Sequence, residues 1–176
     1  MILMNNFKAE PPELRKAMLQ AASRVLESGW YVLGNEVKHF EEQWSRVCGV
    51  SHGIGVGNGM DAIEMALLGL SIGAGDEVIT TPMTAFATIL AIIRCGAKPV
   101  LADIDSETAL LSAESAKRCL STKTKAVILV HLYGQVRQMD EWVIFCEENK
   151  IILIEDCAQA HQATWHGKVA GCFGQA

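Results

Sequence analysis

The sequence predicts an α/β domain whose mostly parallel sheet lies between layers of helix. Three observations carry that reading. From about Val50 onward, short apolar runs alternate with segments of helical period. Two of the runs, AVILV at 126–130 and IILI at 151–154, are apolar at every position, as in strands covered on both faces. Half of the 176 residues are hydrophobic and 20% are charged, a composition that can bury a core and argues against disorder. This length predicts a single domain, with a helical N-terminal segment over 1–50 leading into the α/β part over 51–176.

Pro11-Pro12 opens a helix that runs to about Glu27 and stops at Ser28-Gly29, because proline is tolerated in a first helical turn. Residues 30–34 read as a loop, and a second helix spans about 36–48, ending before Gly49. A short strand is expected over 52–56. The helix over 58–70 carries Ile63, Ala66, Leu67 and Leu70 at i, i+3, i+4 and i+7. A turn at 73–76 leads to a strand at 77–80, a helix at 84–95, a strand at 98–102 and a helix at 112–120. A strand at 126–130, a helix at 138–149 and a strand at 151–154 complete the series.

Composition excludes several functions. The net charge is −5 and no basic run exceeds a pair, so neither nucleic acid nor an anionic membrane is an expected partner. Six cysteines at 48, 95, 119, 146, 157 and 172 form no CxxC pair, so no metal is expected and the thiols read as scattered and reduced. The start MILMNNFKAE is too short in apolar residues for a signal-peptide core. The longest uncharged stretch, 78–93, holds Pro82 and four threonines and falls short of a membrane span. A cytoplasmic protein is expected.

In parallel sheets, ligands collect at the carboxyl ends of the strands. Those ends carry Gly57-Asn58-Gly59, Thr81-Pro82, Asp103 and Asp105, His131 and Tyr133, and Glu155-Asp156. Gly57-Asn58-Gly59 opens a helix, and its free amides could bind a phosphate or form a plain tight turn. It is neither a Walker loop nor a GxGxxG fingerprint, since position 62 is Ala62. Asp156 reads either as a turn or helix-capping carboxylate, or as the partner of a protonated heterocyclic nitrogen, the arrangement that pyridoxal-phosphate chemistry requires. Phe86 reads as core or as an aromatic stacked on a planar ring, and His131 as structural or proton-handling.

Five stretches together resemble the DegT/DnrJ/EryC1/StrS family of pyridoxal-phosphate-dependent sugar aminotransferases. They are SGWYVLGNEVKHFEEQWSRVCGV (28–50), IGVGNGMDAIEMALLGLSIGAGDEVITTP (54–82), GAKPVLADID (96–105), TKAVILVHLYGQ (124–135) and IEDCAQAHQATWHGKVAGCFG (154–174). The resemblance implies a fold-type-I large domain binding pyridoxal 5'-phosphate, in a homodimer whose active site lies at the subunit interface. The implied reaction transfers an amino group from glutamate or glutamine to a nucleotide-linked keto-sugar, in polysaccharide or antibiotic sugar biosynthesis. On the same ground Asp156 partners the pyridine nitrogen, Gln159 contacts the ring, and Gly59 and Met60 lie where backbone amides hold the phosphate. The loop at 30–34, with Trp30 and Tyr31, lies where the family meets substrate.

The pattern departs from the family in places. Met60 stands where many members have threonine, and the stacking position after Thr84 is Ala85, with the aromatic moved to Phe86. The Schiff-base lysine of the family follows the GxFG segment, beyond Ala176. Lys168, the one lysine after Asp156, lies in an HGK turn that resembles a structural hairpin. The chain is therefore expected to be a truncated, cofactor-facing first part of such an enzyme, inactive by itself. The alternatives are the family's dehydratase branch, in which histidine replaces the lysine, and a non-catalytic binding module.

Overall fold

The computed structural model describes residues 6–176. The apolar start of the chain, read above as too short for a signal peptide, lies largely outside them. No helix among the described residues is long and apolar enough to cross a membrane.

Two helices come first, α1 (Pro12–Ser28) and α2 (Asn35–Cys48). Each ends on a glycine in the left-handed region, Gly29 at φ 65° and Gly49 at φ 73°, where a residue with a Cβ would be strained. The alternating series follows: α3 (Gly59–Gly69), β1 (Glu77–Thr80), α4 (Phe86–Arg94), β2 (Lys98–Leu101), α5 (Ala113–Arg118), β3 (Thr124–Val130), α6 (Met139–Asn149) and β4 (Ile152–Asp156). A small hairpin, β5 (Thr164–Trp165) and β6 (Lys168–Val169), follows.

The four larger strands form one wholly parallel sheet in the order β2-β1-β3-β4. Its faces divide the apolar residues by strict alternation, because successive side chains on a strand point to opposite sides. Ile79, Val127, Leu129 and Leu153 pack with α6 residues Met139, Trp142, Phe145 and Cys146. Val78, Ala126, Ile128, Val130 and Ile154 pack with Ile63 and Leu67 of α3 and Ala91 and Ile92 of α4. The expected burial of the sheet on both faces is therefore found.

One expected strand is absent. Residues 52–56 form no strand among the described residues. A strand needs a neighbour to take its amides, and here Gly55 N–H donates to Glu41 Oε1 of α2 at 2.6 Å. The glycines press this segment against α2: a Cβ on Gly53 would meet the Glu41 carbonyl oxygen at 3.0 Å. The last strand, in turn, extends two residues beyond its expected end, with Asp156 registered against Val130.

Candidate functional site

The carboxyl end of β4 carries two acidic residues that point to opposite faces, and their environments differ. Glu155 is buried and saturated. Its Oε2 accepts from Gly171 N–H at 2.9 Å and pairs with His131 Nε2 at 3.0 Å, and its Oε1 accepts from Phe173 N–H at 2.7 Å and Gly174 N–H at 2.8 Å. Burial pushes its carboxyl upward, but the His131 bond and the three amides together outweigh burial and hold it below its usual range. With Cys157, these two side chains make the one group of metal-ligand type among the described residues, their atoms within 4.8 Å of one another. All four acceptor directions of the carboxylate are already filled, and burial with the Glu155 and Asp156 charges pushes the Cys157 thiol up to about 12. Glu155 therefore acts as a buckle that ties the 171–174 segment and the end of β3 to β4. His131 has the structural role.

Asp156 is only partly buried. Its Oδ1 accepts from Ala158 N–H at 3.1 Å and its Oδ2 accepts from the Thr88 hydroxyl at 3.3 Å. No lysine, arginine or histidine pairs with it among the described residues. The segment after it forms a turn and no helix, so the helix-cap reading of Asp156 does not hold. Gln159 shares that turn, and its Oε1 accepts from Tyr133 N–H at 2.8 Å. Tyr133 is exposed with φ 56°, which turns its amide toward Gln159 and its ring outward.

The amino end of α3 is open. Asn58 caps it, its side-chain oxygen taking Asp61 N–H at 3.0 Å and its carbonyl taking Ala62 N–H at 3.1 Å. That leaves the Gly59 and Met60 amides, the first two of the helix, without an intrahelical acceptor. Gly59 is exposed, and apart from its chain neighbours and its own helix backbone nothing lies within 4 Å of where its Cβ would stand. The Met60 side chain is partly buried against the apolar layer that holds Val130 and Leu132.

Phe86 begins α4 and is 68% exposed, which excludes the core reading. Two residues later stands Thr88, wholly buried, its hydroxyl linked to Thr84 Oγ1 at 3.0 Å as well as to Asp156. Sequence reasoning missed Thr88. Its signal was a hydroxyl among the otherwise apolar residues 86–93, since a buried hydroxyl requires a partner. Trp30 and Tyr31 are exposed, and their polar bonds are local, Trp30 N–H to Ser28 Oγ and the Tyr31 hydroxyl to the Leu26 carbonyl. Nothing among these bonds brings them to Asp156.

The remaining motifs have structural roles. His161 meets the Trp44 ring edge-on with centroids 5.5 Å apart, and the Cys172 thiol donates to the Cys48 carbonyl at 2.8 Å; together they dock α2 on the 157–172 segment. The expected hairpin at HGK is present, turning through His166 at φ 49° and Gly167 at φ 81°, with Lys168 Nζ 4.6 Å from the Phe173 ring centre.

The arrangement offers three things at once: free amides at a helix start, a carboxylate held by neutral donors, and an exposed aromatic, Phe86, two residues before the threonine that bonds the carboxylate. Helix-start amides can bind an anionic group, and a carboxylate accepting neutral donors can pair with a cationic one. Over most of its length the chain is similar to known proteins. The model of the DegT/DnrJ/EryC1/StrS aminotransferase family matches residues 12–176. A dTDP-3-amino-3,6-dideoxy-alpha-D-galactopyranose transaminase of Aneurinibacillus thermoaerophilus is 43% identical over 92% of this chain and 45% of its own length. Among solved structures, DesV of S. venezuelae in complex with a ketimine intermediate superposes with a TM-score of 0.90 at 38% identity, over 94% of this chain and 45% of that one. NtdA from Bacillus subtilis with bound cofactor PMP gives 0.85 at 29% identity, over 91% and 37%. The chain spans a little under half the length of the curated relatives it matches.

Proposed function

The chain belongs to the DegT/DnrJ/EryC1/StrS aminotransferase family, and from that premise we propose that it forms the cofactor-facing part of a pyridoxal-phosphate-dependent aminotransferase acting on a nucleotide-linked keto-sugar. One observation carries the reading. Asp156 ends a central-sheet strand, half-buried, with a neutral donor on each oxygen and no cationic partner among the described residues. Such a carboxylate is suited to a ring N–H⁺, because an opposite charge favours the protonated heterocycle.

Each residue has a task in this proposal. The Gly59 and Met60 amides bind the phosphate; with methionine at 60 the backbone does this without a hydroxyl at that position. Asp156 keeps the pyridine nitrogen protonated. Gln159, fixed by Tyr133 N–H, contacts the ring from the same turn, and Phe86 covers it. Pyridoxal 5'-phosphate, when bound, supplies the electron sink that stabilises negative charge beside the transferred nitrogen. Trp30 and Tyr31 meet the sugar nucleotide. Glutamate or glutamine gives the amino group.

A homodimer is part of the proposal. α1 carries Leu14, Met18, Ala21 and Val25 on one stripe, buries none of its residues, and continues into the exposed Trp30, Tyr31, Val32 and Leu33. An apolar surface of this kind is covered in a working assembly. The division into a helical part over 1–50 and a cofactor-facing part over 51–176, and a cytoplasmic setting, belong to the same reading.

The test uses the protein at its full natural length. Asp156→Asn should lower amino transfer to the keto-sugar by at least about a hundredfold, since it removes the charge that holds the ring protonated. Activity within about threefold of wild type would remove Asp156 from its role.

A further inference from the structure

Asp156 does not hold its own orientation; α4 supplies part of it. Thr88 is wholly buried, and the other buried residues of α4, Ala91 and Ile92, are apolar. A threonine inside a helix commonly bonds back to the carbonyl one turn earlier. The Thr88 hydroxyl instead lies 3.3 Å from Asp156 Oδ2, a residue 68 positions later, and 3.0 Å from Thr84 Oγ1. A hydroxyl has one proton to give, and an ionised carboxylate can only accept. The direction of the chain is thereby fixed: Thr84 donates to Thr88, and Thr88 donates to Asp156. Serial donation of this kind strengthens each member. Ala158 N–H holds the other oxygen at 3.1 Å, so the carboxylate plane is defined by donors from two separate elements.

We infer that Thr88 is a positioning residue for Asp156, with Thr84 setting the direction of its proton, so that the carboxylate meets the cofactor ring in one orientation. The inference rests on the proposed cofactor role of Asp156. A purely structural Thr88 would instead fill space with its methyl group.

The experiment compares Thr88→Val, Thr88→Ser and Thr84→Val in the full-length protein. Valine keeps the shape and removes the hydroxyl; serine keeps the hydroxyl and removes the methyl. Three readouts are taken: the dissociation constant for pyridoxal phosphate, the pH midpoint of the bound cofactor's absorption spectrum, and thermal unfolding of the cofactor-free protein. Thr88→Val should weaken cofactor binding about tenfold, as expected for one bond to a charged group, and shift the spectral midpoint. Thr88→Ser should restore both to within about threefold, and Thr84→Val should cause a smaller loss in the same direction. Binding and midpoint unchanged in Thr88→Val, or Thr88→Ser behaving like Thr88→Val, would overturn the inference. If Thr88→Val fails to fold, wild-type behaviour of Thr88→Ser with weakened binding in Thr84→Val still supports it, and the reverse pattern overturns it. A wild-type protein that binds no pyridoxal phosphate overturns the function instead. The bond is then read from a slowly exchanging Thr88 hydroxyl proton in the nuclear magnetic resonance spectrum, and its absence, or its persistence in Asp156→Ala, would count against the contact itself.

Discussion

The two helices at the start and the layered sheet that follows obey different rules. α1 runs for 17 residues and buries none of them, and α2 buries Ser45 alone. α4 has nine residues and buries Thr88, Ala91 and Ile92. Yet α1 is amphipathic, with Leu14, Met18, Ala21 and Val25 at helical spacing. Its local pattern writes a helix, while among the described residues the apolar stripe is not buried. In the four-stranded sheet most residues of β1, β3 and β4 are buried, and only the edge strand β2 has none that is buried. The contrast teaches that secondary structure and stability come from separate sources here: periodicity writes both regions, but only the second is held by burial.

Substitutions can sharpen or break this contrast, and the largest effect is expected at Glu155. Glu155→Ala leaves His131 and three backbone amides without their acceptor, and should cost about 4 kcal/mol in urea unfolding, because each buried donor left unmet costs about 1–3 kcal/mol. A cost below about 1 kcal/mol would mean the buckle is not holding the 171–174 segment.

The same carboxylate gives a pH dependence. Its folded value is depressed from the ordinary 4.5, so its contribution is complete above that ordinary value and is lost as pH falls through the lower folded one. Glu155→Gln should therefore flatten the fall of Tm below about pH 4.5, and an unchanged acid slope would contradict that.

Next comes Leu67, fully buried between α3 and the sheet. Leu67→Ala should cost about 3 kcal/mol by the combined loss of transfer energy and the cavity left behind. Leu19→Ala on α1, with the side chain already exposed, should cost less than about 0.5 kcal/mol in dilute protein. Equal costs at Leu67 and Leu19 would erase the distinction between the regions. The smallest signal should be in amide exchange. α1 amides should exchange orders of magnitude faster than those of β3 at low concentration, and become protected at high concentration if a second copy covers the stripe.

Much of the architecture was legible because it depends on local pattern. The helices and the four larger strands follow from apolar periodicity and glycine stops, and the two-sided burial follows from runs such as AVILV. The strand expected at 52–56 was not realised. HGIGV has the right local look, but a strand also requires a neighbour, and Glu41 takes the Gly55 amide. At the site, Asp156 was singled out by its place after a strand, while Gln159 and the Gly59 and Met60 amides entered through the family resemblance. Phe86 was left between two readings because a helical aromatic can face either way; its exposure decided for the surface. The Thr88 contact was invisible, since its partner lies 68 positions away.

By itself, then, the sequence determined the layered α/β fold and the set of chemically capable residues at the strand ends. Those depend on composition, spacing and the two-residue period of a strand. Only the tertiary structure decided which donors each of the adjacent carboxylates meets, and so that Glu155 is enclosed while Asp156 stays partly open. Neighbours on a strand point to opposite sides, so Glu155 is enclosed by the amides of 171–174 while Asp156 is oriented by Thr88 and Ala158. Two acidic residues side by side in sequence received different surroundings from the donors that folding brought to them.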